Sequence, residues 1–186
     1  MDTDDTPHTH DPALQTDDGY VVRPATGDDL PGVAAVYAHY VAESTATFEE
    51  VAPGIEFWRE RHASTLAQGW PFLVAVDADD VVVGYAYVGW WRPRPAYRFT
   101  VETSIYVAAD VAGHGLGRRL LEPVLDSAAA AGAREAVAVI SSGASPASRR
   151  LHESLGFEAV GVLTGVGVKR GEVLDTAILQ KHLRAP

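Results

Sequence analysis

Between residues 99 and 132 the sequence sets a strand, a glycine-rich turn and a helix in direct succession, and its chemistry concentrates there. FTVETSIYV, residues 99 to 107, alternates Phe99, Val101, Thr103, Ile105 and Val107 against Thr100, Glu102, Ser104 and Tyr106, the pattern of a strand with two distinct faces. Glu102 points away from the Val and Ile face. The turn AGHGLG (112–117) comes next, then the helix RRLLEPVLDSAAAAG. A helix start exposes N–H groups without intrahelical acceptors, which makes it an anion site. Gly113, Gly115 and Gly117 let backbone approach a phosphate closely. Arg118 and Arg119 add positive charge where the helix dipole already favours an anion, so a pyrophosphate fits. A turn that merely needs flexible residues has the same composition, and the glycines alone leave both readings open.

The elements around this unit decide between folds. YVVRPA (20–25) reads as a strand, and Asp28 is a candidate N-cap for the helix LPGVAAVYAHYVAE, with Pro31 in its first turn. Tyr37 and Tyr40 share a face of that helix, where core packing accounts for them. A second helix spans 55 to 68, followed by the hairpin PFLVAVD and VVVGYAYV around Ala78 to Asp80. A dinucleotide-binding fold wants the glycine turn after its first strand, so the preceding strands argue against one. Beyond the turn, Leu116, Leu120, Leu121, Val124 and Leu125 form an apolar stripe that ends at Gly132, with a kink or a shorter first segment expected at Pro123. Then come the strand EAVAVI, the loop SSGASP, the helix ASRRLHESLG, and the strands FEAVGVLTGVGV and EVLDTAILQKHL.

Composition sets the outer bounds. At 186 residues and 47% hydrophobic, the chain suits one domain, with boundaries read as a disordered acidic tail over 1–18 and a folded domain over 19–186. Six of the acidic residues fall before residue 19 without a Lys or Arg, so the net charge of −10 leaves −4 for the remainder. That sign disfavours general nucleic-acid binding. There is no cysteine, hence no disulfide or thiolate nucleophile, and His8 and His10 in the acidic tail read as incidental, so no metal is expected. No apolar run approaches the roughly 20 residues of a membrane span and no signal peptide is legible, so the expectation is a cytoplasmic protein without a membrane partner.

Five spaced segments carry a family resemblance: YAHYVAESTATF (37–48), RPAYRFTVETSIYV (94–107), GHGLG (113–117), SPASRRLHESLGF (145–157) and KRGEVLD (169–175). In this order they resemble the GNAT N-acetyltransferases, and within them the phosphinothricin and methionine sulfone or sulfoximine acetyltransferases, from about Val21 to Leu183. The resemblance implies an α/β (α+β) fold, with a twisted, mostly antiparallel mixed sheet splayed at the cofactor site and flanked by about four helices. It implies acetyl-CoA as co-substrate, a small amine or amino-acid acceptor, and a homodimer. Its pyrophosphate would lie on Ala112, Gly113, His114, Gly115, Leu116, Gly117, Arg118 and Arg119. Its pantetheine arm would pair with Ile105, Tyr106 and Val107, and Ser145 and Ser148 would also contact it.

By the same resemblance Glu102 holds the position of the catalytic carboxylate. An alkyl ammonium with a pKa near 10 needs such a proton acceptor before it can attack. A solvated Glu on an open sheet face is the plainer alternative. His152 falls where relatives place a tyrosine near the CoA sulfur, which implies a general acid or proton relay, against the alternative of a helix-surface histidine. Backbone N–H near Ile105 or Tyr106 would hold the oxyanion. Phe48, Arg94 and Tyr97 match the pocket segments and would supply an apolar wall, a carboxylate partner and a hydroxyl. The sequence departs from the family pattern at Ala112, Ser145 and Val173, which stand in place of a Gln or Arg, an Asn and a Trp. Two other readings are an acetyltransferase for polyamines or protein N-termini, and a CoA-binding sensor without turnover.

Overall fold

The computed structural model describes residues 14–15, 19–111, 113 and 115–183. Its centre is a mixed sheet of seven strands extended by a two-residue strand at one edge. In chain order the strands are β1 (Leu14–Gln15), β2 (Val21–Pro24), β3 (Phe72–Val76), β4 (Val82–Trp90), β5 (Thr100–Val107), β6 (Glu135–Ser141), β7 (Glu158–Lys169) and β8 (Glu172–His182). The helices are α1 (Leu30–Glu43), α2 (Ile55–Ala67), α3 (Leu116–Ala130) and α4 (Pro146–Ser154). Across the sheet the order is β1-β2-β3-β4-β5-β6-β8-β7, and every pairing is antiparallel except β5 with β6. That parallel step needs a crossover, which α3 provides.

Alternation along β4 and β5 sorts side chains onto two cores. Ala86, Val88, Val101, Ile105 and Val107 face α3, where Leu116, Leu120, Leu121, Val124 and Leu125 form the stripe legible in the sequence. Tyr85, Tyr87 and Tyr106 face α1 and α2 and pack with Trp58, Phe72, Val33 and Val36. Ring contacts such as Trp58–Tyr85 at 5.5 Å and Phe72–Tyr87 at 4.8 Å knit this second core, each worth about 0.5–1.5 kcal/mol beyond its buried area.

Two local expectations are corrected. The helix cap is not Asp28: Thr26 and Asp29 form a reciprocal capping box around a 3-10 turn at Gly27–Asp29, and Asp29 also binds Arg23 at 2.7 Å. Pro123 does not shorten α3, which runs from Leu116 to Ala130, because the buried side chains on either side of it hold the helix against the sheet. Within the expected tail, Leu14 and Gln15 pair with Val22 and Val21; residues 1–13 and 16–18 lie outside the described residues. No helix among the described residues is long and apolar enough to cross a membrane, and no cluster of metal-ligating side chains occurs among them.

Candidate active site

The parallel pairing of β5 and β6 lasts for three residue pairs, Thr100–Glu135, Val101–Ala136 and Glu102–Val137. Beyond Glu102 the two strands part. A cavity of about 420 Å³ fills the opening, lined by Glu102 through Val107 on one side and Ala138 through Ser141 on the other. Past the split, peptide groups on this edge of β5 have no strand beside them, and an extended ligand can hydrogen-bond to them as a strand would. This is the splayed sheet the resemblance implied.

The glycine turn closes one end of the opening. Gly113 and Gly115 have φ of 95° and 75°, in the left-handed region that glycine enters without cost. Gly115 caps α3, so the N–H groups of Leu116 and Gly117 begin the helix without acceptors inside it. A Cβ on Gly117 would meet Leu151 Cδ2 at 3.0 Å, so its bareness lets α3 approach α4 closely. Gly113, Gly115, Leu116, Gly117 and Arg118 all line the cavity. The Arg118 guanidinium donates to Glu122 (3.1 Å) and to the Ser154 carbonyl (2.9 Å), which fixes it at the rim between the two helices. Arg119 is not brought to the cavity; its guanidinium donates to the Tyr20 carbonyl at 3.2 Å. Ala112 and His114 lie outside the described residues. Opposite, Ser145 and Ser148 line the cavity from α4, whose N-terminus Ser145 caps by accepting from the Ala147 N–H at 3.2 Å.

Glu102 stands where the strands part, on the α1–α2 face of β5. Its cross-strand neighbour is Gly89, as Ser104 faces Tyr87 and Tyr106 faces Tyr85. Burial pushes its carboxyl above the ordinary carboxylate range, while the positive charges of Arg92 and Arg61 partly oppose that rise. Among the described residues no Lys, Arg or His nitrogen comes within salt-bridge distance of it.

His152 stands on the opposite face of β5. It is 3% exposed, which rules out the helix-surface alternative. Its Nδ1 lies 2.8 Å from the Ser148 carbonyl and its Nε2 lies 3.3 Å from Thr103 Oγ1. A carbonyl only accepts, so Nδ1 carries the proton, and Nε2 of the neutral ring is an acceptor that competes with the Val137 carbonyl, 3.5 Å from Thr103 Oγ1, for the single Thr103 hydroxyl proton. Burial lowers the ring's pKa and favours that neutral state.

The expected acceptor residues are not brought to the cavity. Arg94 and Tyr97 sit on the exposed 3-10 turn Pro95–Tyr97 between β4 and β5. Phe48 lies against Gly167 of β7, where a Cβ would have no room. It belongs to the segment after α1, which is pinned by Tyr37–Thr47 (2.6 Å), by Lys169 Nζ donating to the Thr47 carbonyl (2.9 Å), and by Ser141 donating to the Thr45 carbonyl (2.7 Å). Sequence reasoning missed Arg61, Arg92, Tyr40 and Lys169. Arg92 was within reach, since it directly follows Trp91 at the end of β4, but Arg94 in the matching family segment drew the assignment. Tyr40 donates to the Val107 carbonyl at 2.6 Å and lines the cavity; its helical spacing from Tyr37 suggested packing alone.

A split sheet with a helix N-terminus and glycine turn at one end and a carboxylate at the other defines an acyltransferase that draws on a CoA thioester. A family model described as acetyltransferase (GNAT) family matches residues 17–157, and the chain belongs to that family. It is 43% identical over 164 residues to a phosphinothricin N-acetyltransferase of Alcaligenes faecalis, covering 88% of this chain and 83% of that protein. It is 41% identical over 162 residues to an L-methionine sulfoximine/L-methionine sulfone acetyltransferase of Pseudomonas aeruginosa, covering 87% and 94%. A crystal structure of a phosphinothricin acetyltransferase from Sinorhizobium meliloti in complex with acetyl-CoA superposes with a TM-score of 0.84 at 38% identity, covering 89% of each chain. Acetyl-CoA is the co-substrate, and the residues here fit it: the N–H groups that open α3 would hold its diphosphate and the unpaired edge of β5 would hold its pantetheine arm.

Proposed function

We propose that the chain acetylates the amino group of a small amino-acid-like acceptor of the phosphinothricin or methionine sulfone type, with Glu102 as the proton acceptor. The observation that carries this is the place of Glu102: a part-buried carboxylate without an ion pair, at the mouth of the split and on the face away from α3 and α4. Acetyl-CoA supplies a thioester whose acyl carbon takes the amine. Glu102, whose carboxyl is raised by burial above the ordinary carboxylate range, removes the ammonium proton directly or through one water. The backbone N–H of Ile105, which points away from β4 because neighbouring N–H groups of a strand alternate between its edges, stabilises negative charge at the acyl oxygen.

The leaving thiolate has the pKa of a thiol, about 8.5, so it needs no strong acid at neutral pH. Accordingly His152 is assigned a positioning role: it joins Thr103 of β5 to Ser148 of α4 across the cavity. The cations Arg61 and Arg92 near Glu102 favour an anionic acceptor over a polyamine. The copy-to-copy surface of the expected homodimer is assigned to β7, and a cytoplasmic location follows from the acetyl-CoA requirement. Thiol release from acetyl-CoA, measured with phosphinothricin, methionine sulfone, spermine and short peptides, tests the reading. Turnover is expected with the first two acceptors; turnover confined to spermine or peptides sinks it.

A further inference from the structure

We propose that Arg61 on α2 selects α-amino acids as acceptors, holding the acceptor's carboxylate over Gly89 while its ammonium faces Glu102. This deepens the acetyl-transfer reading and rests on it.

The geometry starts from a missing side chain. Gly89 is directly opposite Glu102 in the β4–β5 ladder, and Tyr87 is its neighbour on the same face. The Arg61 guanidinium fills the space above this glycine: its Nη1 lies 3.7 Å from where a Cβ on Gly89 would stand. Its Cζ is 5.3 Å from the Phe57 ring centroid and 5.9 Å from that of Tyr87, so two aromatic faces steady the charge. Cβ positions directly opposite on antiparallel strands are about 5 Å apart. The guanidinium and the Glu102 carboxylate therefore border the same small patch of sheet, without forming a salt bridge to each other.

Two cations act on the Glu102 carboxyl, Arg92 and Arg61. Arg23, Arg59, Arg118 and Arg149 each pair with a carboxylate. Arg92 stacks on its own Trp91 ring at 3.9 Å and donates to the Trp91 carbonyl at 3.0 Å. Among the described residues no carboxylate reaches salt-bridge distance of Arg61, which keeps its N–H groups for a ligand. A cation and an anion flanking one patch are complementary to a zwitterion, carboxylate toward Arg61 and ammonium toward Glu102. A guanidinium holds a carboxylate through two parallel hydrogen bonds, which fixes the amine's direction as well as its presence.

The test compares methionine sulfone with 3-(methylsulfonyl)propan-1-amine, the same side chain without the carboxylate, in the wild-type enzyme, Arg61→Gln and Arg61→Lys. Arg61→Gln is expected to raise KM for methionine sulfone about 10- to 100-fold, the loss typical of a hydrogen-bonded charge. It should change KM for the amine less than about twofold, since that acceptor never used the guanidinium. Arg61→Lys should recover part of the difference. Removing this cation also removes support for the ionised carboxylate, so the acidic limb of kcat/KM should move to higher pH in Arg61→Gln. Equal effects on both acceptors, or none on either, overturn the assignment while leaving the enzyme an amino-acid acetyltransferase. A wild-type enzyme inactive on methionine sulfone but active on the amine overturns both. One inactive on both, in a panel where other acceptors turn over, does the same.

Discussion

As the proposed proton acceptor, Glu102 depends on its surroundings, and its pH behaviour would expose that. Burial raises its pKa, so as pH falls the base is lost earlier than an exposed carboxylate would be. The kcat/KM profile should show an acidic limb above the usual carboxylate range, and Glu102→Gln should erase the limb while lowering kcat by about 10²- to 10⁴-fold. Acetyl-CoA affinity, read by titration, should stay within about twofold, because the carboxylate lies beyond the cradle. A Gln variant that keeps wild-type turnover removes the assignment. His152→Asn offers a contrast: loss of the links to Thr103 and Ser148 should lower the melting temperature and weaken acetyl-CoA binding, with the acidic limb unmoved. The sequence disclosed which face of β5 Glu102 takes, because strand alternation fixes it. It did not disclose that Arg61 lies over Gly89 or that Arg94 stands outside the cavity, because neither the reach of a long side chain nor the packing of α2 over Gly89 is written in local spacing.

The turn before α3 shows an element specified locally and used globally. Gly115 has φ of 75° and no atom within 4 Å of a would-be Cβ, so a substitution there costs backbone strain and nothing else. Gly115→Ala should cost about 1–2 kcal/mol, raising KM for acetyl-CoA about tenfold while KM for the acceptor stays put. Gly115→Asn should be milder, since Asn tolerates the left-handed region better; equal losses in steady-state kinetics would contradict this account. Elements of this kind were legible. The apolar stripe of α3, the strand alternation of β5 and the glycine turn each follow from short-range chemistry. The full length of α3 past Pro123 was not, since a penalty of about 3 kcal/mol was outweighed by burial against a sheet that the helix's own residues do not reveal.

The opening between β5 and β6 belongs to no single segment. Each strand reads as an ordinary strand, and periodicity is blind to the fact that they pair for three residues and then diverge; here the family resemblance supplied what local pattern lacked. The same holds at the far edge of the sheet, where β7 pairs only with β8 among the described residues. Val160, Val162, Leu163, Val166 and Val168 are all more than half exposed along it, as is Val173 on β8. A long apolar strand with an open edge invites another chain to pair with it, and a soluble monomer would ordinarily blunt such an edge with charge. A second copy of this chain would meet that demand with a matching strand and would bury both sets of apolar side chains. Sedimentation should show a dimer for the natural chain. The double variant Val162→Lys, Val166→Lys should sediment as a folded monomer, since both positions are exposed in the isolated chain and lie outside the cavity. A variant that remains dimeric would move the interface elsewhere, and a natural chain that is monomeric at every concentration would leave β7 without the partner assigned to it.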